Sequence, residues 1–305
     1  MYHGMINVYK EKGFTSHDVV AKLRGICKQK KVGHTGTLDP DAVGVLPVCL
    51  GCATRLCDML TEKDKEYVAV LRLGVTTDTQ DITGKVLAEK EVTESVEKVR
   101  EVISSFEGEQ LQIPPMYSAL KVNGKKLYEL AREGKEIERK ARPIVVHEIE
   151  ILSENMPEFT IRVKCSKGTY IRTICHDIGQ KLSCGGAMVS LKRTKVGNFG
   201  IEDSYTLSRI EDMAKEGRLC EILLPVEKVF EKLPEIRVKE ETMKALLNGN
   251  QLRREDFLSL SEEALKAEEV RVYGSDGRFY GVYGYQEGRK LFCPIKMFFP
   301  EQAER

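Results

Sequence analysis

A short loop near the N-terminus combines residue types that could do chemistry on a bound ligand. Residues 33–40 read GHTGTLDP, with two glycines close together and an aspartate before a proline. Glycine lets a backbone approach a ligand closely, and the proline biases Asp39 toward an extended, relatively fixed conformation. Asp39 could act as a nucleophile or a base, and His34 could stack on a base or donate a hydrogen bond. Glycine-rich turns that only reverse the chain are also common, so spacing alone leaves both interpretations open.

Lysine clusters supply positive charge just before the loop and in one later segment. Lys28, Lys30 and Lys31 precede the loop, and three more lysines lie within residues 121–126. Clustered lysines can neutralise phosphates, although most such runs are ordinary solvated surface. The net charge of +1 does not decide between these possibilities, because proteins that bind nucleic acid are often much more basic. The loop also lacks the Lys-Ser/Thr ending of a phosphate-binding loop.

Composition describes an ordinary globular protein. The chain has 305 residues, of which 41% are hydrophobic and 31% charged, and this predicts two domains of unequal size. Its longest apolar stretch, residues 43–53, is broken by glycine and proline and falls short of the roughly 18 residues that a membrane span needs. The N-terminus lacks a basic region followed by an apolar core, so we expect a cytoplasmic protein without membrane attachment.

The nine cysteines are scattered without the spacing of a disulfide framework, so we expect reduced thiols. Cys49 and Cys52 have the C-x-x-C spacing of redox and zinc sites, but no second close pair completes a set of four ligands. The sequence therefore predicts that these two side chains are small buried hydrophobic groups and that the chain has no metal site.

Periodic segments on both sides of the loop predict the elements that position it. Thr15 or Ser16 can cap an amphipathic helix that ends near Cys27, shortly before the loop. Residues 67–73 read as a buried strand, and residues 159–165 alternate strictly between apolar and polar side chains. We therefore expect one helix and at least two strands around the loop.

Strands and helices mix along the chain without a regular alternation. This pattern predicts a mixed α+β fold and not a doubly wound parallel sheet. A turn at residues 166–168 leads into a segment with helical spacing, so Arg172 should lie in its first turn. Short glycine-punctuated runs after about residue 229 predict a small β-rich domain. We place the first domain at residues 1–228 and the second at residues 229–305.

Six segments, in order along the chain, carry a resemblance to one enzyme family. They are residues 33–40 (GHTGTLDP), 65–67 (KEY), 77–81 (TDTQD), 116–121 (MYSALK), 166–173 (SKGTYIRT) and 191–193 (LKR). Together they resemble the TruB family of tRNA pseudouridine-55 synthases over about residues 4 to 225, and the C-terminal part resembles a PUA-type RNA-binding domain. The resemblance implies a largely antiparallel sheet of pseudouridine-synthase type, with residues 116–142 inserted as an RNA-gripping thumb.

The resemblance also implies which residues form the site. Asp39 would be the essential carboxylate, acting as a nucleophile or as a base toward the sugar. Arg172 would pair with Asp39, keep it ionised and lower its pKa. Tyr67 would lie against the target base and help to remove the proton from C5. The residues implied for substrate binding are His34, Tyr170, Leu191 and Lys121.

The implied reaction converts one uridine of tRNA into pseudouridine. The glycosidic bond from N1 to C1′ breaks, the base rotates, and C5 joins C1′. No group enters or leaves, so we expect no cofactor and no metal. We expect tRNA as the partner, a monomer, and no obligatory protein partner.

Two alternatives stay open, a guide-RNA-dependent synthase of the box H/ACA type and a tRNA-binding folding helper whose chemistry is dispensable. The roughly twenty residues between Lys121 and Arg142 are rich in lysine and arginine and suit direct gripping of RNA, which favours a stand-alone enzyme.

Overall fold

The computed structural model describes residues 1–122 and 124–299. Asn123, inside the predicted thumb, and residues 300–305, at the end of the predicted C-terminal domain, lie outside the described residues. The α-helices are α1 (Ser16–Cys27), α2 (Cys57–Thr61), α3 (Val96–Ser104), α4 (Leu127–Arg132), α5 (Ile171–Lys181), α6 (Leu207–Lys215), α7 (Met243–Leu247) and α8 (Glu262–Lys266). Short 3-10 helices span Gly51–Leu56, Leu219–Ile222, Val226–Phe230, Glu240–Thr242 and Arg254–Asp256. Within the two described ranges, no helix has the length and apolar character needed to cross a bilayer.

The strands form one large sheet, one smaller C-terminal sheet and two hairpins. They are β1 (Gly4–Lys10), β2 (Val32–His34), β3 (Val43–Leu50), β4 (Lys65–Leu73), β5 (Val75–Thr77), β6 (Val86–Glu89), β7 (Gly108–Gln112), β8 (Lys121–Val122), β9 (Lys125–Lys126), β10 (Arg142–Asn155), β11 (Glu158–Cys165), β12 (Gly186–Val196), β13 (Phe199–Gly200), β14 (Glu235–Arg237), β15 (Leu252–Arg253), β16 (Glu269–Tyr273), β17 (Phe279–Gln286) and β18 (Leu291–Met297).

The large sheet brings strands from distant parts of the chain together. Its order is β1-β3-β12-β4-β11-β10-β7, with β2 added beside β3 and β13 beside β12. The pairing of β12 with β3 is parallel, and the other pairings in this sheet are antiparallel. The predicted α+β fold with a mixed, largely antiparallel sheet is therefore confirmed. The parallel contact places β12 directly beside the strand that follows the loop at residues 33–40.

Local patterns predicted most of the elements around this loop correctly. Helix α1 has Thr15 as its N-cap and ends at Cys27, because Lys28 adopts a left-handed conformation with φ of 52°. Strands β4 and β11 lie where alternation placed them, and Arg172 lies in the first turn of α5.

The C-terminal sheet has the order β14-β16-β17-β18-β15 and packs against the large sheet. Val282 and Phe298 from this part of the chain join a buried cluster with Met5 and Val45 of the large sheet. This small β-rich unit fits the expected PUA-like domain. The boundary near residue 229 stays a prediction, and the short helix Val226–Phe230 spans it.

One glycine permits the close contact between β3 and β12. Gly44 pairs with Arg193 in the parallel register and has φ of +109°. A Cβ atom at Gly44 would lie 2.1 Å from the backbone oxygen of Arg193, which is closer than any real contact. The strand that follows the loop can therefore approach β12 only with glycine at this position.

We expect Gly44→Ala to lower the free energy of unfolding by about 2–5 kcal/mol, the sum of backbone strain and overpacking. Gly13→Ala is the matched control, because Gly13 also has positive φ (+88°) but has no atom within 4 Å of its added Cβ. In the control, the free energy of unfolding should fall only by the cost of the backbone strain, about 1–2 kcal/mol. Urea unfolding of both variants measures the difference. Equal losses would contradict the importance of the close contact.

The cysteines are free thiols in the structure. Cys49 and Cys52 are buried as predicted, and the side-chain partner of Cys49 is the thiol of Cys57. In the described part of the chain, no group of three or more His, Cys, Asp or Glu side chains is arranged to hold a metal ion.

Candidate active site

Arg172 of α5 lies against Asp39, although 133 residues separate them in sequence. Arg172 Nε lies 3.1 Å from Asp39 Oδ2, and Nη2 donates to Asp39 Oδ1 at 3.4 Å. The arginine side chain is 7% exposed and the aspartate side chain 43% exposed. The guanidinium therefore lies behind the carboxylate, which stays open to a ligand. The structure forms the expected pair, and the catalytic roles of its members stay a prediction.

Further acceptors hold the Arg172 guanidinium in place. Nη1 donates to Thr79 O at 3.2 Å, and Nη2 donates to Tyr117 O at 2.8 Å. Asp81 Oδ2 lies 3.6 Å from Nη1. A planar guanidinium can serve several acceptors in fixed directions, which an ammonium group cannot reproduce. Residues 77–81 and the beginning of the predicted thumb thus meet at this arginine.

The net pKa shift of Asp39 is opposite to the expected one. Arg172 does pull the pKa of Asp39 down, but burial among protein atoms pushes it up and is the larger effect. The nearby carboxylate of Asp81 also raises the pKa. The expectation of a lowered pKa was therefore wrong, because it considered the partner charge and not the desolvation. A carboxylate with a raised pKa is a stronger base than an exposed one.

Arg193, on β12, supports the loop from inside the protein. Its Nε donates to Val45 O at 2.7 Å, while Nη2 and Nη1 donate to Gly36 O at 3.3 Å and Thr37 O at 3.5 Å. Its side chain is fully buried and also hydrogen-bonds with Tyr67. One guanidinium thus links the loop, the strand that follows it and the tyrosine of β4.

Tyr67 is buried on β4 and lies within electrostatic reach of Asp39. Burial raises the pKa of Tyr67, and the neighbouring Arg193 opposes this shift. The phenol is therefore protonated in the free protein, and its hydrogen bond with Arg193 favours the phenolate if a proton leaves.

A buried lysine holds the chain that follows Asp39. Lys10 Nζ donates to Ala42 O at 2.6 Å, Pro40 O at 3.1 Å and Glu11 O at 3.2 Å. Burial lowers the pKa of Lys10 to about 8, against the opposing attraction of Asp39. The ammonium fixes the backbone on the C-terminal side of the carboxylate, as Arg193 does on the N-terminal side.

His34 stands at the beginning of the loop and is half-buried. Its Nδ1 accepts a hydrogen bond from the N–H of Gly36 at 3.2 Å. Burial lowers the pKa of His34 to about 4, so the ring is neutral at physiological pH. With Nδ1 used as an acceptor, Nε2 carries the proton and can donate to a ligand.

Tyr170 and Leu191 border the same region, whereas Lys121 does not. The Tyr170 hydroxyl interacts with Ser118 of the predicted thumb. Burial raises the pKa of Tyr170, and Asp39 also raises it. Leu191 is partly buried and packs on the core cluster that contains Tyr67. Lys121 lies exposed in β8, paired with Lys126, and the structure does not bring it to the pair of Asp39 and Arg172.

Sequence reasoning missed several groups that position the site. Arg193 belongs to the recognised LKR segment, and its residue type in a buried strand was the available signal. Lys10 is the one charged residue of the otherwise uncharged strand β1, which indicates a specific partner for its charge. The carbonyls of Thr79 and Tyr117 had no signal, because any residue supplies a backbone carbonyl.

Two family models match adjoining parts of the chain. Residues 24–171 match the N-terminal domain of TruB family pseudouridylate synthases. Residues 172–231 match the C-terminal domain of tRNA pseudouridylate synthase B. The Asp39 loop and Tyr67 lie in the first match, whereas Arg172 begins the second.

Curated relatives match nearly the whole chain. A protein of Lachnoclostridium phytofermentans named tRNA pseudouridine synthase B is 54% identical, over 97% of this chain and 99% of the relative. A protein of Clostridium kluyveri with the same name is 47% identical, over 92% of this chain and 94% of the relative.

Solved structures share the architecture at lower identity. A chain from the crystal structure of a Cbf5-Nop10-Gar1 complex is similar with a TM-score of 0.72 and 29% identity, covering 99% of this chain and 86% of that chain. A chain from an H/ACA RNP bound to a substrate RNA containing 2′-deoxyuridine is similar with a TM-score of 0.71 and 27% identity, with the same coverage.

Proposed function

The chain belongs to the TruB family of tRNA pseudouridine synthases, which are isomerases, and from this premise we propose that it converts uridine 55 in the T-loop of tRNA to pseudouridine. The observation that carries the proposal is the pair of Asp39 and Arg172. A buried guanidinium 3.1 Å from a partly open carboxylate is a costly arrangement that a protein needing only to bind RNA would not require. We further propose that the protein acts as a monomer in the cytoplasm.

The reaction assigns a task to each group. Asp39 attacks C1′ as a nucleophile or removes a proton from the sugar, so that the bond between C1′ and N1 breaks. The detached base rotates and C5 bonds to C1′, which releases Asp39 from C1′ on the nucleophilic route or is accompanied by return of the sugar proton on the base route. The C5 proton then leaves to a base and N1 gains a proton from solvent. Tyr67 would accept the C5 proton as a phenolate, which Arg193 would stabilise, so its phenol must first give its own proton to solvent. Arg172 keeps Asp39 ionised and aimed.

The target base must leave its stack to reach Asp39, which costs a few kcal/mol. The half-buried His34 offers a neutral ring and an Nε2 donor at the edge of the loop, where it can contact RNA beside the extruded nucleotide. Tyr170 and Leu191 would line the base pocket. Residues 116–142 would act as a thumb, with Lys121 contacting phosphates, and the domain at residues 229–305 would add a PUA-like RNA surface.

Two observations bear on the alternatives. The similar chain from an H/ACA RNP is 27% identical and the one from the Cbf5-Nop10-Gar1 complex is 29% identical, whereas a relative named tRNA pseudouridine synthase B is 54% identical. The segment that contains β8, β9 and α4 reaches the site through Tyr117 O, 2.8 Å from Arg172 Nη2. Direct gripping of tRNA by this segment favours a stand-alone enzyme over one that depends on a guide RNA.

We expect the purified wild-type protein to modify an isolated T-loop hairpin without guide RNA, protein partner or added metal. Because the C5 hydrogen is lost, a hairpin with tritium at C5 of its uridines should release tritium to water in proportion to pseudouridine formed. A hairpin with cytidine at position 55 is the control for the site of modification. Conversion only with a guide RNA would move the chain to the H/ACA type, and binding without conversion would favour the folding helper.

A further inference from the structure

The first turn of α1 is fastened to the catalytic loop. Ser16 Oγ accepts a hydrogen bond from the N–H of Leu38 at 2.9 Å and lies 3.4 Å from Leu38 O. Ser16 is completely buried, and Leu38 directly precedes Asp39. The beginning of α1 therefore has a fixed position relative to the loop.

The next residue of α1 contacts the other end of the same loop. His17 and His34 have ring centroids 5.3 Å apart and an interplanar angle of 82°, an edge-to-face arrangement. His17 is exposed, whereas His34 is half-buried. Because Ser16 is fastened to Leu38, His17 has an anchored backbone from which its ring can brace a neighbour.

The orientation of the His34 ring depends on two contacts. One is the hydrogen bond of Nδ1 with the N–H of Gly36, which restricts the ring but lets it tilt about the hydrogen bond. The other is the ring of His17. Together they fix the direction of the Nε2 donor and of the open ring face.

We propose that His17 is a positioning residue that holds the His34 ring for contact with RNA beside the extruded uridine. This inference rests on the proposed function and adds a residue that none of the recognised motifs includes. His17 acts through His34 and has no chemical step of its own. Loss of an edge-to-face pair should lower kcat/KM about two- to tenfold, since such pairs contribute modestly beyond their buried area.

Four variants test the proposal on the T-loop hairpin: His17→Ala, His17→Phe, His34→Ala and the double alanine variant. In His17→Ala, kcat/KM should fall about two- to tenfold. In His17→Phe, most of the kcat/KM should be recovered, because phenylalanine supplies a ring without the imidazole nitrogens. The double variant should be no slower than His34→Ala, since residues that act as a unit are non-additive. The unfolding midpoint should not change, because His17 is exposed.

A measurement on the free protein separates positioning from general damage. The His34 ring resonances in a proton NMR spectrum should shift in His17→Ala, because the ring current of His17 is lost. In His17→Phe they should move back toward their wild-type positions. If His17→Ala lowers kcat/KM further in the His34→Ala background, the proposal is overturned. Unchanged kcat/KM or unshifted His34 resonances in His17→Ala would also overturn it. Wild-type protein that leaves the hairpin unmodified would overturn the proposed function and this inference with it.

Discussion

Asp39→Asn is expected to abolish isomerisation, with a rate at least about 10⁴-fold below that of the wild type, the size seen when an essential nucleophile is removed. Asparagine has nearly the same shape but is neither a useful nucleophile nor a base at neutral pH. Binding of tRNA should change little, because affinity comes mainly from phosphate and shape contacts spread over the surface. Single-turnover tritium release and fluorescence anisotropy with the same hairpin measure the two quantities.

Asp41→Asn is the matched control for this prediction. Asp41 lies two residues further along the chain, is 57% exposed and lies 3.7 Å from the exposed Lys12. Its contribution to stability should be small, and its removal should leave turnover nearly unchanged. Substantial turnover by Asp39→Asn, or an equal loss for Asp41→Asn, would remove Asp39 from the centre of the mechanism.

Arg172→Lys is expected to lower turnover about a hundredfold or more, because small errors in the aim of a reacting group have effects of this size. Lysine keeps the positive charge but presents a single ammonium group. It cannot reach Asp39, Thr79 O and Tyr117 O in the directions that the guanidinium serves. The carboxylate would then be held less firmly, although it would still be present.

Two measurements distinguish orientation of Asp39 from general structural damage in the Arg172 variants. The variant Asp39→Asn with Arg172→Lys should be little slower than Asp39→Asn alone, since the two residues act as a unit. The pH profile gives the second measurement. The reaction requires ionised Asp39, so its rate falls as the pH drops through the pKa of Asp39. Arg172 lowers that pKa, so replacing Arg172 with methionine should move the acidic limb to higher pH.

Arg162→Lys is the control for an arginine that makes an exposed ion pair. Arg162 lies on β11, is 40% exposed and pairs with Glu150 on β10. Exposed pairs contribute little, so this change should affect neither turnover nor the pH profile. An Arg172→Lys variant with full turnover, or additive losses in the double variant, would contradict the role of Arg172 as the residue that aims Asp39.

Local sequence patterns predicted the elements around the site because buried apolar residues repeat along the sequence with a spacing that differs between strands and helices. The alternation in residues 159–165 reports that one face of β11 packs on the core, and the structure buries those side chains. Sequence predicts the helix ends less well, because two nearby residues can be equally suitable as a cap. Thr93 and Ser95 both precede α3, and it is Ser95 that caps the helix, with its side chain accepting a hydrogen bond from the N–H of Lys98. Both residue types are good caps, so residue type alone does not decide between them.

The sequence by itself determined the chemistry available to this protein. The loop around Asp39 and the helix with Arg172 were recognisable as segments, and their residue types specified a carboxylate with a cationic partner. The tertiary structure alone decided that Arg193 and Lys10 fasten the loop from both sides, and that the net pKa shift of Asp39 is upward. Both outcomes depend on atoms far away in sequence. Hydrogen bonds to backbone carbonyls leave no trace in residue type, and desolvation depends on everything that surrounds a charge.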